Sequence, residues 1–348
     1  MASLFQKAVA LPLLALALGA CHGASVESDG AGGAGGGGAG GGHAGLDPCS
    51  SGWLGDGHYC GSALGRGAAP GTLYTCESGA TAATESCAFG CVPKGAGAPD
   101  ACAVDPSSLP LGKGIWIWRF GSSAPPATEV AARAQALGIG YVLIKSGEDL
   151  STYDTNFNAA IVELFASQGI WVFAWNYVRP GDVQAKADAL AAQTNVPGVK
   201  GMVLDVETEW EGTGSEGDAV ALCDAIRAQL EPDKMLGFSS FGWLAYHPGF
   251  PWAEFDQHCG DMHLPQTYWD AWSTGPTGGF QKAVDGAQQF GLTAPLWAAQ
   301  DNYEGTPTSA ELNEFFGVAG PFSSLWRWPN PGDTALDQQL AELDWANP

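Results

Sequence analysis

The sequence predicts an α/β fold, an eightfold (β/α) TIM barrel, from two observations. Between residues 111 and 346, short apolar runs bounded by Gly or Pro alternate with amphipathic stretches, as buried parallel strands alternate with the helices that cover them. That span also has the usual length of such a barrel. An open doubly wound sheet is the alternative, but no Gly-x-Gly-x-x-Gly motif follows the first strand to support dinucleotide binding.

Eight runs are the candidate barrel strands. They are Gly114–Trp118, Tyr141–Lys145, Trp171–Asn176, Gly201–Val206, Met235–Ser239, Asp261–Tyr268, Ala294–Ala298 and Ser324–Trp328. Amphipathic stretches that predict helices lie between them, among them Glu129–Leu137, Phe157–Ser167, Asp182–Gln193 and Asp218–Leu230. Gly138 follows the first of these helices and suits a C-cap.

Charge and composition narrow the functional classes. The 348 residues include 37 Asp and Glu against 14 Lys and Arg, which gives a formal net charge of −23. Nucleic-acid affinity needs clustered Lys and Arg, so nucleic-acid binding is excluded as the main function. With 45% hydrophobic residues the chain can bury a core, and its 14 Trp residues favour a binding surface.

The N-terminus has the features of a bacterial export signal. Residues 1–20 contain Lys7 and the apolar run Ala8–Leu18, which is too short to span a bilayer. The next residues, Gly19-Ala20-Cys21, complete a sequence that resembles a lipobox, in which lipid is attached to the cysteine. An ordinary secretory signal is the alternative. Residues 21–46, rich in Gly and Ala, predict a flexible tether. We therefore expect an exported lipoprotein of the cell envelope, held at a membrane (the outer membrane if the cell has one) by acylated Cys21.

The nine cysteines fall into three groups. Cys21 is the lipidation candidate. Six lie in a predicted small module, residues 47–104: Cys49, Cys60, Cys76, Cys87, Cys91 and Cys102. They predict three disulfides whose pairing is left open, because so short a segment cannot build a sufficient core; zinc binding is disfavoured by their spacing. Cys223 and Cys259 are expected to form a fourth disulfide.

The fourth candidate strand ends in two acidic residues. Asp205 and Glu207 are two positions apart, so their side chains point the same way along a strand. In a TIM barrel the C-terminal ends of the strands form the active face. Adjacent carboxylates raise each other's cost of ionisation, which keeps one protonated near neutral pH, as a general acid for glycosidic cleavage requires. A salt bridge or a helix cap is the structural alternative.

Other polar and aromatic residues fall at strand ends. Gln266 and Tyr268 share a face of the sixth strand and suit hydrogen bonds to a polar substrate. Tryptophans at the rim suit stacking on sugar rings, although some must belong to the core: Trp116, Trp118, Trp175, Trp269, Trp297, Trp326 and Trp328. Four cations at strand ends indicate either an anionic ligand or pairing with nearby carboxylates: Lys145, Arg119, Arg179 and Arg327.

The order of these motifs resembles family 25 glycoside hydrolases, the barrel-type lysozymes, and more broadly their relatives that cleave N-acetylated sugars. Tyr141–Ser146 resembles their second strand, Leu204–Glu207 their catalytic strand and Leu325–Trp328 their last strand. The resemblance implies a substrate such as peptidoglycan. The chain departs from the family in strand one, where Gly114-Ile115 is followed by Trp116 instead of Asp.

The leading functional hypothesis is a cell-envelope glycoside hydrolase that acts on an N-acetylated polysaccharide. Glu207 is its candidate general acid. Asp205 is expected to orient Glu207 or the acetamide group of the substrate, with Gln266 and Tyr268 as acetamide partners. That arrangement permits substrate-assisted retention, in which the acetamide replaces an enzyme nucleophile.

Two other functions remain open. One is a non-catalytic glycan-binding barrel. The other is a hydrolase of another bond, for which Ser239, Ser240 and His247 are available without a Gly-x-Ser-x-Gly elbow. A metal hydrolase is disfavoured because His247, His258 and His263 form no His-x-His or HExxH pattern. No metal and no cofactor is expected; the expected partners are a polysaccharide and a lipid membrane.

Overall fold

The structure, a computed structural model, describes residues 47–50, 55–64, 68–69, 71–87, 91–92, 100–102, 112–121, 125–302, 307–329 and 334–345. The predicted signal peptide, the tether and Cys21 lie outside these residues. None of the helices within them combines the length and the apolar character that crossing a bilayer requires.

The cysteine-rich region contains short antiparallel strands. β1 (Gly57–Cys60), β2 (Thr72–Glu77) and β3 (Ala80–Ser86) form one sheet, the helical turn α1 (Gly61–Leu64) follows β1, and β4 (Cys91–Val92) pairs with β5 (Ala101–Cys102). The three predicted disulfides are confirmed, and they join Cys49 to Cys76, Cys60 to Cys91 and Cys87 to Cys102. Disulfides stabilise a region of this size, whose described core is small.

Eight parallel strands close into the predicted barrel. They are β6 (Gly114–Ile117), β7 (Tyr141–Glu148), β9 (Trp171–Tyr177), β10 (Val199–Asp205), β11 (Met235–Phe241), β12 (His263–Gln266), β13 (Ala299–Asp301) and β14 (Ser324–Trp326). Each strand pairs with the next in this order, and β14 pairs with β6 to close the ring. A two-residue strand, β8 (Ser151–Thr152), runs antiparallel to the end of β7. The predicted fold class is therefore confirmed.

Helices cover the outside of the barrel. They are α2 (Ala127–Leu137), α3 (Ala159–Ala166), α4 (Val183–Thr194), α5 (Ser215–Arg227), α6 (Trp252–Cys259), α7 (Gly275–Phe290), α8 (Ser309–Ala319) and α9 (Thr334–Ala341). Gly138 ends α2 with a φ of 81°, a left-handed conformation that glycine adopts without strain, so the predicted C-cap is confirmed. Cys223 of α5 and Cys259 of α6 form the fourth predicted disulfide.

Large aromatic side chains fill the interior of the barrel. At the end where the strands begin, the rings of Tyr141, Phe173 and Trp297 lie 5.5 to 5.8 Å apart between centroids. Phe322 stacks on Trp297 at 4.7 Å. The interior of a TIM barrel is a packed core and not a pore, so a ligand must bind at the mouth.

The seventh strand begins later than the sequence pattern predicts. The pattern places it at Ala294–Ala298, whereas the structure places β13 at Ala299–Asp301, preceded by an isolated bridge at Leu296. Trp297 and Ala298 are buried, which gives the segment before β13 the apolar character of a strand. The shift corrects the prediction and places Trp297 where the strand enters the barrel.

A buried histidine lies on β12. The ring of His263 is fully buried and stacks on Phe238 with centroids 4.3 Å apart, and Trp252 lies 5.8 Å away. Neither ring nitrogen has a hydrogen-bond partner among the described residues. Burial without a partner penalises the charged imidazolium and lowers the pKa of His263 from 6.5 to about 3.

We expect this histidine to make the stability of the protein depend on pH. As the pH drops from 6.5 toward 3, the unfolded chain gains a proton on this ring that the folded protein does not accept, so the free energy of unfolding decreases. The contribution is about 1.4 kcal/mol per pH unit across that window. Urea unfolding at several pH values should show that the free energy of unfolding depends less steeply on pH in His263→Phe than in the parent. His58→Gln, at an exposed histidine, is the control, and an unchanged slope in His263→Phe would contradict the assignment.

Candidate active site

Two acidic side chains and one amide meet where β10 and β12 end. β10 ends at Asp205, and Glu207 lies just beyond it. The amide nitrogen Nε2 of Gln266, the last residue of β12, donates to Asp205 Oδ1 at 3.1 Å and to Glu207 Oε1 at 3.0 Å. The structure thus brings together the two carboxyl groups and the glutamine that the sequence singled out.

These residues line a cavity of about 150 Å³ at the mouth of the barrel. Its other lining residues are Trp116, Ser239, Tyr268, Ala299 and Trp326. Asp205 is 8% exposed, whereas Glu207 is only partly buried. Glu207 is therefore the carboxyl group more accessible to a bound molecule, and Asp205 lies deeper.

Burial and like charge favour the protonated form of this carboxyl pair. Burial is the main cause that raises the pKa of Asp205 well above its usual value, and the charge of Glu207 adds to it. Burial also raises the pKa of Glu207, against the opposing effect of the hydrogen bond from Gln266. Both shifts favour the neutral acid. The pair therefore retains a proton at pH values where a free carboxylic acid is ionised.

Lys145 of β7 provides a positive charge to this pair. Its side chain is 8% exposed, and Nζ lies 4.5 Å from the ring centroid of Trp175 and 3.9 Å from Glu148 Oε2. The ammonium charge lowers the pKa of Asp205, while burial lowers the pKa of Lys145 itself. Lys145 was predicted to bind substrate; the structure places it mostly inside the protein, where its charge acts on Asp205.

Three tryptophans at this end of the barrel pack edge to face. The ring centroids of Trp116, Trp175 and Trp326 lie 5.4 to 5.9 Å apart. The indole N–H of Trp116 donates to Ser324 Oγ at 3.0 Å, and that of Trp175 donates to Ile117 O at 3.2 Å. Trp116 and Trp326 line the cavity, while Trp175 is buried behind them. This tryptophan triad gives the cavity a fixed aromatic wall.

Three other tryptophans predicted to bind substrate lie in the core. Trp297 packs inside the opposite end of the barrel. Trp269 is 1% exposed and lies 5.5 Å from Phe315 of α8. Trp328 is 3% exposed, and its indole N–H donates to Asp337 Oδ1 at 2.8 Å. Enclosed rings cannot stack on a sugar, so the prediction is corrected for these three and for Trp175, which is 2% exposed and does not line the cavity.

A larger cavity of about 420 Å³ lies at the ends of β7 and β9. Its lining residues are Glu148, Asp149, Leu150, Ser151, Tyr153, Arg179, Asp182 and Lys186. The guanidinium of Arg179 donates to Asp149 Oδ2 at 2.7 Å and to Glu148 Oε1 at 2.9 Å, and Lys186 Nζ lies 3.1 Å from Asp149 Oδ1. Arg179 therefore pairs with carboxylates, which is the second of the two roles predicted for the strand-end cations. The carboxyl pair with raised pKa values lies in the smaller cavity.

An aromatic surface that was not predicted from the sequence follows β11 and β12. The ring of Trp243 lies 4.1 Å from that of Tyr246 and 5.8 Å from that of Trp272, between centroids. Lys282 Nζ lies 3.3 Å from the Trp243 centroid, and Tyr246 is 67% exposed. Trp243, Tyr246 and Trp272 come shortly after barrel strands, and that position is the signal that would have identified them.

The structure does not assemble a serine–histidine pair. Ser239 Oγ donates to a backbone carbonyl oxygen at 2.9 Å, and Ser240 Oγ has no hydrogen-bond partner among the described residues. His247 instead pairs with Glu211 and stacks on Phe241 with centroids 3.4 Å apart. In the described ranges, no cluster of three or more His, Cys, Asp or Glu side chains is placed to hold a metal ion.

We expect Lys145→Met to raise the pKa of Asp205. The substitution removes a positive charge that stabilises the ionised carboxylate. NMR titration of the side-chain carboxyl carbons measures the change directly. Lys200→Met is the matched control, because Lys200 Nζ lies 4.9 Å from the ring centroid of Trp171, where the strands begin. An Asp205 titration identical in Lys145→Met and the parent would show that this charge does not act on the pair.

No protein-family model matches the chain, and no curated protein matches it. Among solved structures, the chain is similar to the spore cortex-lytic enzyme SleL of Bacillus cereus, with 9% sequence identity and a TM-score of 0.50 over 68% of this chain and 75% of that one. The catalytic domain of a hyperthermophilic chitinase from Pyrococcus furiosus aligns with 12% identity and a TM-score of 0.48 over 65% and 86%. The specific resemblance to family 25 is not confirmed. The likeness to SleL shows a shared barrel fold.

Proposed function

We propose that the barrel is a glycoside hydrolase that cleaves an N-acetylated polysaccharide of the cell envelope, such as peptidoglycan, with Glu207 as general acid. The observation that carries this proposal is the Asp205–Glu207 carboxyl pair, bridged by Gln266 in a tryptophan-lined cavity. Burial raises the pKa of Glu207 and that of Asp205, which extends to higher pH the range over which the pair carries a proton to donate. The fold shared with the spore cortex-lytic enzyme SleL agrees with this proposal.

The placement of the two carboxyl groups favours participation by the substrate. An acid and a nucleophile, or an acid and a base, must flank the glycosidic bond from opposite sides. Here Asp205 Oδ1 and Glu207 Oε1 lie 3.1 and 3.0 Å from the same Gln266 nitrogen, so both lie on one side of the cavity. Strand one contributes Trp116 to the cavity and no carboxylate. The acetamide of the sugar is then the available nucleophile, as in substrate-assisted glycosidases.

Each step follows from this arrangement. Glu207 donates its proton to the glycosidic oxygen as the bond to C1 breaks, while the acetamide oxygen attacks C1 and forms a cyclic oxazolinium ion. Asp205 accepts a hydrogen bond from the acetamide N–H, and Tyr268 orients the group. The ionised Glu207 then takes a proton from a water molecule that attacks C1 and opens the ring. Two inversions at C1 give net retention of configuration.

We expect Glu207→Gln to lower kcat by about two to four orders of magnitude, because the variant has no proton to donate to the leaving group. The measurement is release of reducing ends from purified peptidoglycan and chitin, with circular dichroism to verify folding. Glu163→Gln, at an exposed residue of α3, is the matched control.

Two outcomes would reject this assignment. Unchanged turnover in Glu207→Gln would exclude Glu207 as the acid. If the parent protein binds these glycans but shows no turnover at any pH, it is instead a glycan-binding barrel.

The proposed location is the cell envelope, with the protein anchored through acylated Cys21 and the residues 21–46 tether. We expect Cys21→Ser to shift the protein from the membrane fraction to the soluble fraction, because the acyl chains supply the membrane affinity. Ser25→Ala is the control, and immunoblots of both fractions provide the readout. Equal membrane association of Cys21→Ser and the parent would exclude lipidation.

A further inference from the structure

A basic aromatic surface adjoins the catalytic cavity. It consists of Trp118, Arg119 and Arg327, and is called the Trp118 surface below. The guanidinium carbon Cζ of Arg327 lies 4.1 Å from the ring centroid of Trp118 and 5.4 Å from that of Trp326, a residue that lines the cavity. Arg119 Cζ lies 5.0 Å from the Trp118 centroid. The surface therefore continues directly from the cavity wall.

Arg119 differs from Arg179, an arginine that follows the end of β9. Arg179 lies within 4.0 Å of three carboxylates, those of Glu148, Asp149 and Glu209. Arg119 forms no ion pair among the described residues; its guanidinium lies over the rings of Trp118 and Tyr153. In a chain with 37 acidic and 14 basic residues, an exposed arginine held on aromatic rings keeps its charge available to a ligand.

The chemistry of this surface fits a sugar that carries a carboxylate. Trp118 is 36% exposed and presents an indole, a side chain that suits a sugar ring. A guanidinium on an aromatic ring retains N–H donors at its edge, and a carboxylate accepts two of them at once. The side of the mouth that follows β10 carries Glu207, Glu209 and Glu211 instead. An anionic substituent is therefore favoured toward the Trp118 surface and disfavoured toward the end of β10.

We propose that the Trp118 surface is a subsite for the carboxylate of a sugar unit next to the N-acetylated unit in the cavity. The enzyme would thereby prefer polysaccharides that alternate N-acetylated and carboxylate-bearing sugars over neutral ones. This inference rests on the proposed function, and it names the substrate class of the same site. The carboxylate can belong to a lactyl ether, as in N-acetylmuramic acid, or to a uronic acid.

The experiment compares matched oligosaccharides of equal length. One alternates N-acetylglucosamine with N-acetylmuramic acid, a second alternates N-acetylglucosamine with glucuronic acid, and each is paired with its carboxyl-reduced alcohol. Kd values are measured by calorimetry on Glu207→Gln, so that binding is observed without turnover. The preference is the ratio of the Kd of the alcohol to the Kd of the acid, and kcat/KM ratios are measured in parallel on proteins with Glu207.

We expect a preference for at least one acid, and the acid that shows it identifies the source of the carboxylate. Adding Arg119→Gln should reduce that preference about tenfold, the effect of losing one charge-assisted hydrogen bond at a partly exposed site. Arg119→Glu should reduce it further. Arg133→Gln, at an exposed arginine of α2, should leave the ratio unchanged.

The outcomes separate this inference from the proposed function. A ratio near one for both acids, or a ratio that Arg119→Gln and Arg119→Glu leave unchanged, would overturn the subsite even if the protein cleaves glycans. An Arg119-dependent preference in binding without any turnover in the parent would support the subsite and reject the hydrolase. A preference that weakens with added salt would support an ionic contact.

Discussion

The hydrogen bonds from the Gln266 amide to Asp205 and Glu207 are the contact on which the site depends. Two buried carboxyl groups repel each other when ionised, and one amide with two N–H donors can hold both. Gln266 must reach across β11 to do so, since β12 and β10 are not adjacent. Ser239 of β11 is the neighbour of Asp205 in the register, and its small side chain leaves room for that reach.

The aromatic interior determines where a ligand can bind. Tyr141, Phe173 and Trp297 fill the barrel where the strands begin, and the tryptophan triad fills it where they end. The cavity therefore lies above a packed core, and its wall keeps its shape because the indole N–H groups of Trp116 and Trp175 are bonded to the strands. The binding geometry is preorganised, which lowers the cost of ordering a substrate.

Strand ends could be located from the sequence well enough to find the carboxyl pair and its glutamine. The apolar run Met202–Leu204, followed by acidic residues, marks the end of β10. The tryptophans that line the mouth were harder to predict, because whether a ring faces the mouth depends on where its strand begins. A later start of β13 put Trp297 at the far end of the barrel. The disulfide pairing in the cysteine-rich region depends on distances in space, to which the spacing of cysteines is not a guide.

The tryptophan triad has a spectroscopic consequence. Three indoles with ring centroids 5.4 to 5.9 Å apart in fixed edge-to-face orientations are close enough for their electronic transitions to couple. Such coupling gives circular dichroism bands in the near ultraviolet that disappear when tertiary packing is lost. Because two of the indoles line the cavity, the unlabelled protein carries its own optical probe of the cavity wall, sensitive both to an occupant and to loosening of the barrel around it.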